Sequence, residues 1–83
     1  MSRHYKKLSE KSYNEVLHNE RTFLVTEDRE EYNVGDSIVF DEFNNLGKAT
    51  GHSTIKTINY IERDNEDALQ KGYCILGLKG GIA

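Results

Sequence analysis

One apolar stripe at helical spacing precedes a series of β-rich runs, and this order is what most limits how the chain can fold. Tyr13, Val16 and Leu17 stand at positions i, i+3 and i+4, which predicts one amphipathic helix over residues 9–18. Asn19 can end that helix, because asparagine tolerates the left-handed backbone conformation. A helix early in the chain with strands after it predicts an α+β fold.

Runs of branched and aromatic residues predict the strands. A short strand is expected before the helix, and four more are expected over residues 21–26, 37–43, 53–61 and 73–78. The apolar residues of the run 53–61 break strict alternation, which predicts a bulge or bend. A minor helical turn is expected over residues 66–72. Because five short strands exceed what a flat sheet could bury on one helix, we expect closure into a small β-barrel.

The chain is short enough to form one domain, residues 1–83. A domain of this size buries only about 60–65% of its unfolded surface, so its core is small. No run approaches the roughly 20 apolar residues of a membrane span, and no apolar stretch follows the basic N-terminus, so we expect no secretory signal peptide. Cys74, the single cysteine, lies in an apolar run and is predicted to be buried. Without a thiol framework, a cytoplasmic location is expected.

The net charge of −3 is unevenly distributed. Residues 1–24 carry five Lys/Arg and three Glu, residues 25–45 carry one Arg and seven Asp/Glu, and residues 46–83 carry five Lys/Arg and four Asp/Glu. Proteins dedicated to duplex nucleic acid are normally strongly basic, which argues against that class and leaves room for a local patch. The acidic loop from Glu27 to Glu31 is expected to be solvated or to dock a basic protein partner.

Metal and cofactor motifs are absent from the sequence. His4, His18 and His52 are separated by 14 and 34 residues, which matches no ligand spacing. The glycine-rich stretch 77–81 lies at the end of the chain, where no helix follows to support a phosphate loop. We therefore expect no metal and no cofactor.

The tyrosines are numerous enough to suggest base stacking. Tyr13, Tyr60 and Tyr73 fall on apolar faces and are predicted to lie in the core. Tyr5 and Tyr32 are predicted to be the exposed pair.

An ordered set of motifs extends over nearly the whole chain. His4 leads the first strand, followed by Lys7-Leu8, and the later members are Val34-Gly35-Asp36, Thr50-Gly51 and Gly72-Tyr73-Cys74-Ile75-Leu76-Gly77. The set resembles the ASCH (activating signal cointegrator homology) group of PUA-like domains, above all its small stand-alone bacterial and phage members. The resemblance implies a small PUA-like β-barrel of about five strands with one N-terminal helix. It also implies a cleft that recognises RNA or a modified nucleoside.

The sequence departs from that family at the signature strand Gly-x-Lys-x-x-(Glu/Thr)-x-Arg. Asn19, Arg21, Leu24 and Thr26 stand at the four signature positions. In members that remove the acyl group from acetylated cytidine, the lysine activates a threonine nucleophile. Arg21 cannot act as a base, because a guanidinium has a pKa above about 12 and stays charged. Leu24 has no nucleophilic atom. Catalysis by that scheme is not expected, and no catalytic residue is assigned.

The candidate ligand-binding residues follow from the resemblance. Arg21 and Thr26 would stand at the pocket, and Lys7 would approach from the first strand. Arg29 and Lys48 would lie on loops beside the opening of the same pocket. Arg21 could clamp a phosphate or carboxylate through its fork of donors, or it could pair with a surface acid.

Three functions remain open at this point. A module that binds RNA or a modified nucleoside predicts a contiguous positive pocket. An amidohydrolase acting on an acylated nucleobase predicts a Lys or His close to a hydroxyl or carboxylate, for instance Lys7 with Thr22 or Thr26. A protein-interaction domain that uses the acidic loop needs neither. The binding module is favoured, because Leu24 fills the nucleophile position.

Overall fold

The computed structural model describes residues 1–63, 67 and 69–80. These residues form a small α+β protein with one short helix and five strands. In chain order the elements are β1 (Arg3–Ser9), α1 (Glu10–Leu17), β2 (Phe23–Glu27), β3 (Ser37–Phe43), β4 (Ala49–Glu62) and β5 (Tyr73–Lys79). The α+β prediction is confirmed.

The helix begins and ends where the sequence predicts. The hydroxyl of Ser9 accepts a hydrogen bond from the amide of Ser12, which caps the first turn. Asn19, just beyond the end, adopts a φ of 59°. Tyr13 and Val16 are buried, and the helix packs against β1 and β3. The apolar stripe therefore fixes which side of the sheet the helix covers.

All five strands belong to one mixed sheet with the order β1-β3-β4-β5-β2. The β1–β3 pair is parallel and the other pairs are antiparallel. Among the described residues, no backbone pairing joins the outer strands β1 and β2. A side-chain hydrogen bond does join them, since Lys6 Nζ donates to Thr26 Oγ1 over 3.0 Å. The sheet is therefore curved enough for a lysine side chain of β1 to reach β2.

The irregularity predicted for the fourth strand is confirmed, although β4 is longer than the predicted 53–61. Its register against β5 shifts between Ile58 and Tyr60. Gly77 of β5 lies at this shift, where a Cβ atom would fall 2.6 Å from Asn59 Oδ1 and 2.9 Å from Tyr60 Cβ. The bulge therefore packs closely only against a glycine.

The core lies on the inner face of the curled sheet, under the helix. Its buried apolar members are Tyr13, Val16, Leu24, Tyr32, Ile38, Phe40, Ile58, Cys74, Leu76 and Leu78. Cys74 is buried as predicted. The last strand is buried on one face, where Cys74, Leu76 and Leu78 lie. Tyr73 and Ile75, on its other face, are half-buried, so Tyr73 does not belong to the core as predicted. No layer covers the outer face of β5 among the described residues.

Two tyrosines lie opposite to their predictions, whereas Tyr13 is buried and Tyr5 exposed as expected. Tyr32 is 1% exposed and belongs to the core, and Tyr60 is 54% exposed. The bulge explains Tyr60, because it places two consecutive residues outside after Ile58 and so reverses the alternation. Tyr32 is buried because its ring packs on the ring of the inward-facing His4, with centroids 4.6 Å apart.

The helical turn predicted over 66–72 falls partly outside the described residues, because it includes residues 66 and 68. Among the described residues, no helix has the length and apolar character needed to cross a membrane.

Candidate functional site

A cleft of about 280 Å³ opens where the outer strands approach each other, and we call it the inner cleft. It is lined by Lys6, Thr26, Glu27, Arg29 and Glu30. Lys6 comes from β1 and Thr26 from β2, and the other residues belong to or follow the end of β2. The cleft thus depends on the curvature that joins two strands distant in the sheet order.

A second cleft of about 410 Å³ lies beside it, and we call it the loop cleft. It is lined by Asp28, Glu31, Tyr32, Asn33 and Arg63. Arg63 Nε donates to Asp28 Oδ2 over 2.5 Å, and Arg63 Nη2 donates to the carbonyl oxygen of Tyr32 over 2.8 Å. These bonds tie the segment after β2 to the residue that follows β4.

Lys6 is the most available cation of the inner cleft. Its ammonium donates to the hydroxyl of Thr26 and lies 5.9 Å from the centroid of the Tyr32 ring. Among the described residues, no carboxylate lies within ion-pair distance of it. An ammonium group has three donors, so Lys6 can still donate to a ligand.

The hydroxyl of Tyr32 is buried and finds no hydrogen-bond partner among the described residues. A buried polar group without a partner destabilises a fold by about 1–3 kcal/mol. Such groups call for an explanation, and one explanation is a role in function. This hydroxyl belongs to a residue that lines the loop cleft and lies under Lys6.

A carboxylate network holds β1 against the loop that carries Tyr32. Asp36 accepts hydrogen bonds from the His4 ring over 2.9 Å, the Ser2 amide over 2.9 Å and the Asn33 amide over 3.0 Å. The bond from His4, then those from the backbone amides, lower the pKa of Asp36 from 3.8 to about 2. Gly35, with a φ of 99°, makes the turn that brings this carboxylate into place. The Val-Gly-Asp motif therefore supports the site without lining it.

Cys74 lies beneath the same region and does not provide a nucleophile. Burial raises the pKa of its thiol, and the Asp28 carboxylate adds to the effect against the opposing charges of Arg63 and Lys6. A thiol kept protonated is unreactive.

The structure brings together two of the five predicted site residues, Thr26 and Arg29, in the inner cleft. The other three do not line either cleft. Lys7 points to the other face of β1, with Nζ 5.1 Å from the Phe43 ring centroid. Arg21 Nε lies 3.6 Å from a carboxylate oxygen of Glu15. This is the pairing with a surface acid that was the alternative to ligand binding. Lys48 lies in the hairpin between β3 and β4.

Lys6 was missed by the sequence reasoning, which assigned the approach from the first strand to Lys7. Side chains alternate along a strand, so His4 and Lys6 share one face and Lys7 takes the other. The burial of β1 follows this pattern, with His4 buried, Lys6 half-buried and Lys7 exposed. The inward position of His4 was therefore the signal that could have identified Lys6.

The charges of the clefts are mixed rather than uniformly positive. The inner cleft holds two cations and two carboxylates, and the loop cleft holds Arg63 with two carboxylates. Ion pairs between Arg29 and Glu27 and between Arg63 and Asp28 neutralise part of the acidic loop. Within the described part of the chain, no group of three or more His, Cys, Asp or Glu residues is placed to hold a metal ion.

Comparison with known proteins adds one finding. The family model described as "Domain of unknown function (DUF3850)" matches residues 3–78. No curated protein matches the chain. The matched range contains every residue that lines the two clefts.

Proposed function

The chain belongs to the DUF3850 family, and we propose that it binds a nucleoside, free or within RNA, in the inner cleft. The observation that carries the proposal is the Lys6–Thr26 pair. An ammonium and a hydroxyl 3.0 Å apart share a cleft with Glu27 and Glu30, so strong donors and strong acceptors converge on one small volume. We also propose that the curled sheet is a PUA-like barrel, which the bridge between its outer strands supports.

The chemistry of the cleft suits an uncharged polar ligand. Nucleobases and ribose present hydrogen-bond donors and acceptors side by side. The Lys6 ammonium only donates, a glutamate carboxylate only accepts, and the Thr26 hydroxyl does both. Since the cations and carboxylates of the inner cleft balance, a polyanion gains little attraction there. A single nucleoside therefore fits better than a long phosphate backbone.

The size of the site agrees with this ligand class. Small-molecule sites occupy roughly 300–1,000 Å³. The inner cleft, at about 280 Å³, lies close to the lower end of that range.

The test is a calorimetric titration with cytidine and with acetylated cytidine at about 50 mM and about 200 mM salt. Lys6→Met should weaken binding at least about tenfold, because hydrogen bonds to charged groups contribute about 1.5–3 kcal/mol. Lys7→Met is the matched control, since the adjacent lysine has the same charge and faces away from the cleft. Affinity should change little between the two salt concentrations. Equal effects of the two substitutions, or no binding by the unmodified protein, would contradict the proposal.

The Lys6–Thr26 distance also favours a second candidate, an amidohydrolase acting on an acylated nucleobase. That reaction requires Lys6 as the neutral amine, whose Nζ accepts the proton of the Thr26 hydroxyl as the hydroxyl oxygen attacks the acyl carbon. The amide C–N bond breaks, the amine leaves with that proton, and water then hydrolyses the acyl-threonine ester to a carboxylic acid.

Chromatography of acetylated cytidine incubated with the protein separates the two candidates. Release of cytidine and acetate, lost in Thr26→Val, would establish the hydrolase. Binding without release of cytidine would leave the binding module as the function.

A further inference from the structure

His4 is a buried histidine whose two ring nitrogens face two different carboxylates. Nε2 lies 2.9 Å from Asp36 Oδ2, and Nδ1 lies 4.0 Å from Glu30 Oε2. The ring is 6% exposed and packs on the ring of Tyr32, which holds it in this orientation. Asp36 belongs to the buried network that supports β1, whereas Glu30 lines the inner cleft. The histidine therefore connects the interior of the fold to the ligand site.

The contact with Asp36 fixes which nitrogen carries the proton when the His4 ring is neutral. Asp36 has a pKa of about 2, so it is ionised at neutral pH and its carboxylate can only accept a hydrogen bond. Nε2 must therefore carry the hydrogen that is donated to Asp36. A neutral imidazole has only one N–H, which leaves a lone pair on Nδ1. In this state Nδ1 offers no donor to Glu30, and the Glu30 carboxylate can accept from a ligand.

Protonation of His4 reverses that relation. Both ring nitrogens of an imidazolium are donors, so Nδ1 then presents a charged N–H to Glu30. A charge-assisted N–H···O hydrogen bond is about 2.7–2.9 Å long, so the carboxylate oxygen has to approach by only about 1 Å. Because the Glu30 side chain is 53% exposed, much of it is surrounded by solvent and has room for this movement.

The other ionisable groups that face the ring are a cation and a phenol. The strand of His4 itself contributes Lys6, whose ammonium lies 5.9 Å from the centroid of the Tyr32 ring. The loop after β2 contributes the Tyr32 hydroxyl, which is buried without a partner among the described residues. The turn before β3 contributes Asp36, which is already bonded to Nε2. Among the described residues, Glu30 is therefore the acceptor placed for a proton on Nδ1.

From this geometry we propose that His4 is a proton-dependent switch for the inner cleft, in which the charged ring draws Glu30 away from the ligand and the neutral ring releases it. Histidine changes charge between about pH 5 and 8, so the switch operates in that interval. The inference rests on the function proposed for the inner cleft, because Glu30 is one of the acceptors of that site. Nucleoside binding weakens as the pH falls, by about two- to fivefold, the effect of one partly exposed ion pair.

The first test needs no ligand. NMR of protein labelled with ¹³C and ¹⁵N follows the Glu30 carboxyl carbon and the His4 ring nitrogens from about pH 8 to about pH 5. The Glu30 signal should shift with the same midpoint as the His4 ring. His4→Gln keeps a donor for Asp36 but cannot become charged, so the Glu30 shift should disappear in it. His18→Gln is the matched control, since His18 is exposed at the end of α1 and the Glu30 shift should persist.

The second test is a calorimetric titration with cytidine at about pH 7.5 and about pH 5.8. The unmodified protein and His18→Gln should bind more weakly at the lower pH. His4→Gln and Glu30→Gln should lose this difference, whatever their affinity at either pH. Melting curves of the variants control for folding.

The outcomes distinguish the switch from the function of the cleft. A Glu30 signal that does not follow the His4 ring overturns the switch, and so does an undiminished pH dependence of binding in His4→Gln. If the unmodified protein binds no cytidine at either pH, the function proposed for the cleft fails, and the NMR titration still decides whether His4 controls Glu30.

Discussion

Replacing Tyr32 by phenylalanine should stabilise the protein. The substitution removes one oxygen atom that is buried and has no hydrogen-bond partner among the described residues. The ring stays, and with it the packing on His4 and the contact with the Lys6 ammonium. No cavity is left around a ring of the same shape, so the usual penalty of a core truncation does not apply.

The magnitude follows from the burial of the hydroxyl. An unpartnered buried polar group destabilises a protein by about 1–3 kcal/mol, and we expect Tyr32→Phe to recover about 1 kcal/mol of it. For a domain of 60–100 residues, 1 kcal/mol corresponds to about 4–8 °C in Tm. Tyr5→Phe is the control, because an exposed hydroxyl is solvated before and after folding and its loss should leave Tm nearly unchanged.

The assays are differential scanning calorimetry for stability and nucleoside titration for function. Because the buried hydroxyl is closed off from both clefts, the variant that melts higher should bind the nucleoside as tightly as the unmodified protein. A fall in Tm would refute the reasoning, since it would mean that the hydroxyl is satisfied in the folded protein.

Two further substitutions test the supporting structure. Asp36 has a pKa of about 2 in the folded protein against a usual 3.8, so its contribution to stability is complete above pH 3.8 and is lost as pH falls toward 2. The difference in Tm between the unmodified protein and Asp36→Asn should therefore shrink over that range, and a constant difference would contradict the assignment. Gly77→Ala should destabilise the fold by about 1–3 kcal/mol in urea denaturation, because its Cβ would lie 2.6 Å from Asn59 Oδ1. An unchanged urea midpoint would show that the bulge has room for a side chain.

Most of the fold follows from local patterns in the sequence. The apolar stripe at Tyr13 and Val16 and the left-handed Asn19 fix the helix, and both are properties of short segments. The broken alternation of apolar residues in the fourth strand predicted the bulge. The sequence did not show at which residue the bulge occurs. The outward position of Tyr60, which depends on a bulge between Ile58 and Tyr60, therefore could not be predicted.

The site was harder to predict because it depends on contacts between distant segments. Lys6 meets Thr26 across the two outer strands, and only the curvature of the whole sheet brings them together. Tyr32 follows an acidic loop, and its burial depends on His4, 28 residues earlier in the chain. The balanced charge of the inner cleft likewise depends on which side chains of that loop turn inward.

The parallel pairing of β1 with β3 has a consequence for the order in which the site forms. Arg3 pairs with Ser37, so this ladder closes a long loop, whereas β3 and β4 are joined by a short hairpin. Non-local pairing has a larger loop-closure entropy, so β1 should dock after the hairpin and be among the first elements to open in local unfolding. Opening of β1 withdraws Lys6 from the inner cleft while the β3-β4-β5-β2 ladder can remain paired. A ligand that contacts Lys6 therefore slows the release of β1, and amide hydrogen exchange in that strand reports occupancy of the site.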